Sequence, residues 1–168
     1  MTINPNWLLL PCWSLDDKGK CRCRKGCKSP GKHPKIKNGL LEATNNWTTI
    51  ESWIKQDHCI NLAVRTGPES GIWVLDINVD CTSFFYEKYN LPMLPDTLIT
   101  STPRGFHFYF NWPKNQSLRN RTRAFENVDV RGANGYCIIP GINNNYKWLN
   151  NLPIVDAPIW LLEKVCGT

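Results

Sequence analysis

The run Trp73-Val74-Leu75-Asp76-Ile77-Asn78-Val79-Asp80 decides how this chain is read. It is apolar and β-branched, yet it delivers a side-chain oxygen at every second position toward its end. Alternate residues of a strand share a face, so Asp76, Asn78 and Asp80 are expected to point one way while Val74, Leu75 and Ile77 anchor the strand in a core. A carboxylate at i with another oxygen at i+2 offers hard ligands to Mg²⁺ or Mn²⁺. Two later runs could complete such a site, Ser101-Thr102-Pro103-Arg104-Gly105-Phe106-His107 and Val128-Asp129-Val130-Arg131-Gly132. Phosphoryl transfer from a nucleoside triphosphate needs cations against the attacking and leaving oxygens, and donors for the remaining phosphates. Asp76 and Asp129 are the candidate carboxylates, and Asn78 offers a carbonyl oxygen without charge. His107, Arg65, Arg104 and Arg131 are the candidate triphosphate partners. Singly, each has an ordinary reading as a turn cap or a satisfied strand side chain. In the order Asp76, Asn78, His107, Asp129 they point to a nucleotidyl-transfer site.

Working outward, Asn6–Pro11 reads as a first strand or a short buried segment ended by proline. Thr48-Thr49-Ile50-Glu51 has the form of a capping box opening a helix to about Gln56, with Trp47, Ile50, Trp53 and Ile54 as its apolar side. Asn61–Arg65 reads as a strand that pairs with Ile72–Asn78 as a hairpin through the turn at 67–71. A helix is expected from about Thr82 to Tyr89. Strands Thr97–Thr100 and Phe106–Trp112 flank the Pro103-Arg104-Gly105 turn, and His107 falls on the face opposite Phe106, Phe108 and Phe110. A second hairpin joins Asn127–Arg131 to Tyr136–Ile139, and Tyr146–Leu149 is a possible last strand. Asp156-Ala157-Pro158 starts a terminal helix that turns Ile159, Leu162 and Val165 to the core. No internal repeat or linker is visible. The pattern is α+β with mostly antiparallel pairing, as one domain over 1–168.

Length and composition agree. A chain of 168 residues with 42% hydrophobic and 20% charged content is globular, long enough to bury roughly two-thirds of its unfolded surface. No apolar run approaches a membrane span, and Trp7–Leu10 is too short for a signal peptide, which predicts a cytoplasmic location and no membrane partner.

The net charge of +6 is uneven. Between Lys18 and Lys37 there are nine basic residues and no acidic one. Lys18, Lys20, Arg22, Arg24, Lys25, Lys28 and Lys32 are candidate contacts for a nucleic-acid backbone. Cys21-x-Cys23-x3-Cys27-x5-His33 lies in the same stretch and supplies three thiolates and an imidazole, a donor set of the closed structural-zinc type. A loop this polar has little apolar surface to fold with, so metal ligation would order residues 18–37. Cys12 is a substitute ligand. Cys59, Cys81, Cys137 and Cys166 read as small buried hydrophobes.

Several of these runs occur together in one family. Cys21-x-Cys23-x3-Cys27 with Gly31-Lys32-His33-Pro34, Asn61-Leu62-Ala63-Val64-Arg65-Thr66-Gly67, Val74-Leu75-Asp76-Ile77-Asn78, Thr102-Pro103-Arg104-Gly105-x-His107 and Val128-Asp129-Val130-Arg131-Gly132 with Gly135-Tyr136 follow in the order of the bifunctional primase–polymerases. From about Trp7 to Pro140 the chain resembles that family, which is of the archaeo-eukaryotic primase type. The resemblance implies an archaeo-eukaryotic primase catalytic core with an RRM-like, mostly antiparallel sheet and an inserted zinc-binding loop. It implies two catalytic Mg²⁺ or Mn²⁺ ions, structural zinc, NTP or dNTP as substrate, single-stranded DNA as template and primer, and a helicase domain or partner downstream. By position, Asp76 and Asn78 fall on the family's metal motif, His107 on its nucleotide-phosphate histidine, and Asp129 on its third metal carboxylate. Arg65 and Arg104 are the expected triphosphate contacts. The chain departs from the family in carrying Asn78 instead of an acidic ligand and in lacking a second glycine before His107. Asp80, about 6.6 Å further along a strand, would compensate in part. A non-catalytic single-strand or nucleotide-binding module on the same fold is the alternative, and a metal-dependent nuclease is a third reading.

Overall fold

β3 (Ile72–Ile77) is buried at every position, and the two halves of the protein form on its two faces. The computed structural model describes residues 3–79, 87, 90 and 92–166. β3 lies inside a six-stranded antiparallel sheet, flanked by β5 (Gly105–Asn111) and β7 (Val128–Arg131). β4 (Ile99–Thr102) and β9 (Lys147–Trp148) extend the β5 side, and β6 (Arg121–Phe125) pairs with β7 at the other edge. A second, three-stranded antiparallel sheet has β2 (Asn61–Thr66) between β1 (Leu9–Cys12) and β8 (Gly135–Ile138).

The period-2 alternation of β3 sorts the core. Trp73, Leu75 and Ile77 join Phe108, Phe110, Val128 and Val130 on one face, covered by Leu161 and Val165 of α2 (Ile159–Cys166). Ile72 and Val74 join Tyr109 on the other face, packed on Leu9, Val64 and Cys137 of the small sheet and on Ile50 of α1 (Trp47–Gln56). The order of layers is helix, large sheet, small sheet with α1 beside it. A mixed fold built mostly of antiparallel strands is therefore as expected from the sequence.

Both expected hairpins are replaced by corners. β2 and β3 share only the Gly67–Ile72 bridge and then enter different sheets. β7 and β8 separate in the same way through residues 132–134. The two corners are joined, because Thr66 Oγ1 donates to the Gly132 carbonyl at 2.7 Å. Glycine-rich turns of this kind satisfy a hairpin pattern, but burial of β2 and β3 on both sides favours two stacked sheets over one.

Smaller corrections have local causes. Asn46, not Thr48, caps α1, its side chain accepting from the Thr49 N–H at 3.2 Å. Of the apolar side expected for α1, Ile50 is buried, whereas Trp47 and Ile54 are exposed. On α2 the core residues are Leu161 and Val165, while Ile159 is 73% exposed. Val165 faces the core as expected, and Leu162 packs against it partly buried. Cys137 is buried, but Cys59 and Cys166 are only half-buried. The expected helix at 82–89 falls outside the described residues except for Glu87, as do Asp80 and Cys81.

Candidate active site and metal loop

Sheet register assembles a row of polar side chains that are far apart in sequence. Asp76 is the cross-strand partner of Asp129 on β7 and of His107 on β5, and Thr100 continues the row on β4. Partners in register share a face. It is the face turned to the small sheet, since Val74 and Tyr109, two residues along from Asp76 and His107, pack there. Asp76, His107 and Asp129 are 7%, 4% and 9% exposed, so the two carboxylates sit together nearly out of water.

Such a pair needs positive charge beside it. Arg131, on the same face of β7 as Asp129, places Nη2 2.8 Å from Asp76 Oδ2 and 2.6 Å from Asp129 Oδ2. Burial would lower the affinity of the guanidinium for its proton, but the Asp76 and Asp129 charges more than reverse this. His107 Nε2 lies 3.6 Å from Asp76 Oδ1, and its buried Nδ1 has no partner among the described residues. Burial pushes the imidazole down to about 4 despite the Asp76 carboxylate. It is neutral at neutral pH, with one nitrogen donating and one accepting.

Two backbone devices shape the row. Gly105 sits at φ +156, where an added Cβ would strike the Ile77 carbonyl, so the turn into His107 passes directly against the end of β3. On β6 the ladder is irregular between Arg121 and Phe125. Arg123 there takes the left-handed conformation, φ 54, and its N–H donates to Asp129 Oδ1 at 2.7 Å. The bulge thus spends backbone strain on orienting one carboxylate. β6 was not among the strands read from the sequence, because its residues are polar and largely exposed.

An open pocket lies between the sheets, with Asp76, His107 and Arg131 on one wall and Gly135 to Ile138 of β8 on another. Tyr146 closes one side, its ring 5.7 Å from that of His107. Ser29 and Lys32 reach the same pocket from the basic loop. Burial lowers the proton affinity of Lys32, reinforced by Arg104 and opposed by Asp76. Tyr146, Ser29 and Asn120, also on the pocket wall, carry no motif that marks them in the sequence.

The candidate metal loop is assembled locally. The ligand atoms of Cys21, Cys23, Cys27 and His33 all lie within 4.8 Å of one another. Zinc–sulfur bonds of about 2.3 Å set tetrahedral edges near 3.8 Å, so the four groups fit such an ion after contracting by about 1 Å. Burial raises the Cys21 thiol, but hydrogen bonds from Gly31 and the neighbouring cysteines outweigh it and lower its pKa. Cys27 is raised to about 11 by desolvation and by its proximity to the other two thiols. Three sulfurs this close could all be thiolates only with a cation between them. Cys12 takes no part: it is buried among Leu10, Ala63 and Ile138, and burial raises its thiol to about 12.

The other candidates are placed as follows. Asn78 follows directly on β3, its N–H donating to the Asn127 carbonyl at 2.7 Å. Arg65 lies on the small sheet and pairs with Glu69 at 2.6 Å, with Asn134 on the pocket wall 3.5 Å away. Arg104 is exposed in the turn before His107. Lys18, Lys20, Arg22, Arg24, Lys25 and Lys28 are exposed on the loop, whereas Lys32 is half-buried. Arg131, expected to meet phosphate, is occupied by Asp76 and Asp129.

Among the described residues no helix is long and apolar enough to cross a membrane. The model of the family described as bifunctional DNA primase/polymerase, N-terminal, matches residues 2–160. No curated protein gives a significant match.

Proposed function

The chain belongs to the bifunctional DNA primase/polymerase family, and from that premise we propose that it is a template-directed nucleotidyltransferase acting on single-stranded DNA. The observation that carries this reading is the row Asp129–Asp76–His107 on three adjacent strands. Membership alone supports a DNA primase/polymerase-type nucleotidyltransferase. The residue roles, the metals and the primase-type, RRM-like core in a single domain are the proposal.

Asp76, Asn78 and Asp129 would hold two Mg²⁺ or Mn²⁺ ions. Two carboxylates that share one guanidinium are hard oxygen donors with charge left over, which suits divalent cations. When bound, such ions neutralise the charge that develops on the attacking and leaving oxygens. His107 is held neutral and buried, with a free Nδ1, so it can donate to a phosphate oxygen without competing for the cations. Arg104 is free to swing onto the triphosphate from the turn before it, and Arg65 backs the corner at Asn134. Arg131 must be released from the carboxylates as cations arrive. The attacking 3′-hydroxyl comes from the primer or from a first nucleotide, so no covalent protein intermediate is required. Cytoplasmic location and a helicase domain or partner downstream complete the proposal.

A second reading, a nucleotide- or strand-binding module without turnover, is favoured by Asn78, which removes one negative charge from the metal motif. Extension and de novo synthesis on single-stranded DNA, in Mg²⁺ and in Mn²⁺, separate the two. Product from the chain as it stands supports the enzyme, with Asn78→Asp lowering the metal concentration required. Product only from Asn78→Asp supports the binding module. No product from either would sink the polymerase reading.

A further inference from the structure

The turn 29–33 has two faces. His33 belongs to the Cys3His cluster, while Ser29 and Lys32 line the pocket that contains Asp76, His107 and Arg131. The turn is pinned on both sides. The Lys32 N–H donates to the Ser29 carbonyl at 3.2 Å, and His33 Nδ1 lies 3.1 Å from that same oxygen. The Gly31 N–H donates to Cys21 Sγ at 3.4 Å, and the Gly31 carbonyl accepts from buried Asn61 Nδ2 at 2.9 Å, which ties the turn to β2. Gly31 sits at φ +69 with the Leu15 side chain against its α-carbon, so the path of the chain just before Lys32 is fixed.

Lys32 differs from the other six candidate cations of the loop. They are exposed, whereas Lys32 is half-buried, its ammonium 5.9 Å from the centre of the Tyr146 ring, which in turn packs on His107. It forms no contact ion pair among the described residues, with Asp76 and Asp129 acting on it only from further off. A partly desolvated ammonium with no carboxylate in direct contact is costly, and an anion entering the pocket beside it would reduce that cost. Arg131, the other cation of the pocket, is already engaged by two carboxylates.

We infer that Lys32 is a nucleotide-phosphate contact, and that the metal loop is therefore a wall of the nucleotide pocket as well as a surface for DNA. The inference rests on the nucleotidyl-transfer reading. It carries a thermodynamic consequence. Nucleotide that holds Lys32 also holds its neighbour His33 in place, so metal occupancy strengthens nucleotide binding, and nucleotide strengthens metal retention by the same factor.

The test uses zinc-loaded protein and a fluorescent dATP analogue in Mn²⁺, without template, with metal content measured for every variant. Lys32→Ala is expected to weaken binding about tenfold, one lost charge-assisted contact. Lys32→Arg should recover most of the affinity, and Lys55→Ala on α1 should bind normally. In the unsubstituted protein, saturating dATP should slow zinc release to a chromogenic chelator several-fold, and this protection should be absent in Lys32→Ala. Unchanged dATP affinity in zinc-replete Lys32→Ala, with no protection by nucleotide, overturns the inference and leaves the nucleotidyl-transfer reading intact. Failure of the unsubstituted protein to bind dATP overturns both. Should Lys32→Ala lose its zinc, the protection measured on the unsubstituted protein decides alone: present, it supports the inference, and absent, it overturns it.

Discussion

The carboxylate row and the Cys3His loop both gather charged or ionisable groups, but they do so by opposite means. The row joins Asp76, His107 and Asp129, which are separated by tens of residues, and only antiparallel register brings them together. Its precision is borrowed from the core behind it, Leu75, Ile77, Phe108 and Val130 on the far face of the same strands. The loop joins four ligands within thirteen residues and has almost no core of its own. A metal on the cluster would supply the order that a core does not. One site is therefore as stable as the sheet, and the other would be as stable as its ligation.

The largest effect that would sharpen this contrast is on the row. Asp129→Ala should lower nucleotide incorporation by about 10²–10³-fold, the loss typical of a group aimed at transition-state charge, while zinc content stays near that of the parent. A core change should act differently. Leu75→Ala, at a fully buried position, should cost about 3 kcal/mol in urea unfolding with zinc still bound stoichiometrically at low urea. Chelating the zinc, or Cys27→Ser, is expected to open the loop to trypsin at Lys25 and Lys28, with the β-sheet circular dichroism retained. If the whole domain melted instead, the loop would be part of the cooperative core and the contrast would fail. The smallest effect belongs to neither site: Asn46→Ala removes the cap of α1 and should cost about 1 kcal/mol with incorporation unchanged.

The same contrast explains what could be read from the sequence. The gathering of Cys21, Cys23, Cys27 and His33 was legible, because thiolate and imidazole spacing is local, but the approach of Ser29 and Lys32 to the pocket was not. The identities of the row residues were legible, and so was the placement of His107 opposite the phenylalanines, since both follow from alternation along one strand. Which strands stand side by side was not. The glycine turns at 67–71 and 132–135 satisfy the rules for a hairpin and for a corner equally well, and the choice between them is made by burial on both faces of β2 and β3. β6 escaped notice because an exposed polar strand has no alternation to detect, and the left-handed Arg123 that orients Asp129 has no sequence signature. The Thr48-x-x-Glu51 pattern placed the start of α1 too late, because the cap is Asn46, whose side chain accepts from the Thr49 N–H. The pairing of Arg131 with both carboxylates was also hidden, because it depends on β3 and β7 being neighbours.

Asp76 and Asp129 are expected to hold divalent cations together. Titration of zinc-loaded protein with Mn²⁺, following the free ion by electron paramagnetic resonance in the presence of dATP, measures this directly. Saturable binding of two Mn²⁺ ions beyond those dATP takes up alone is expected, lost in the Asp76→Ala, Asp129→Ala double variant while the zinc content is unchanged. Equal Mn²⁺ binding by the double variant, or none by the parent, would contradict it.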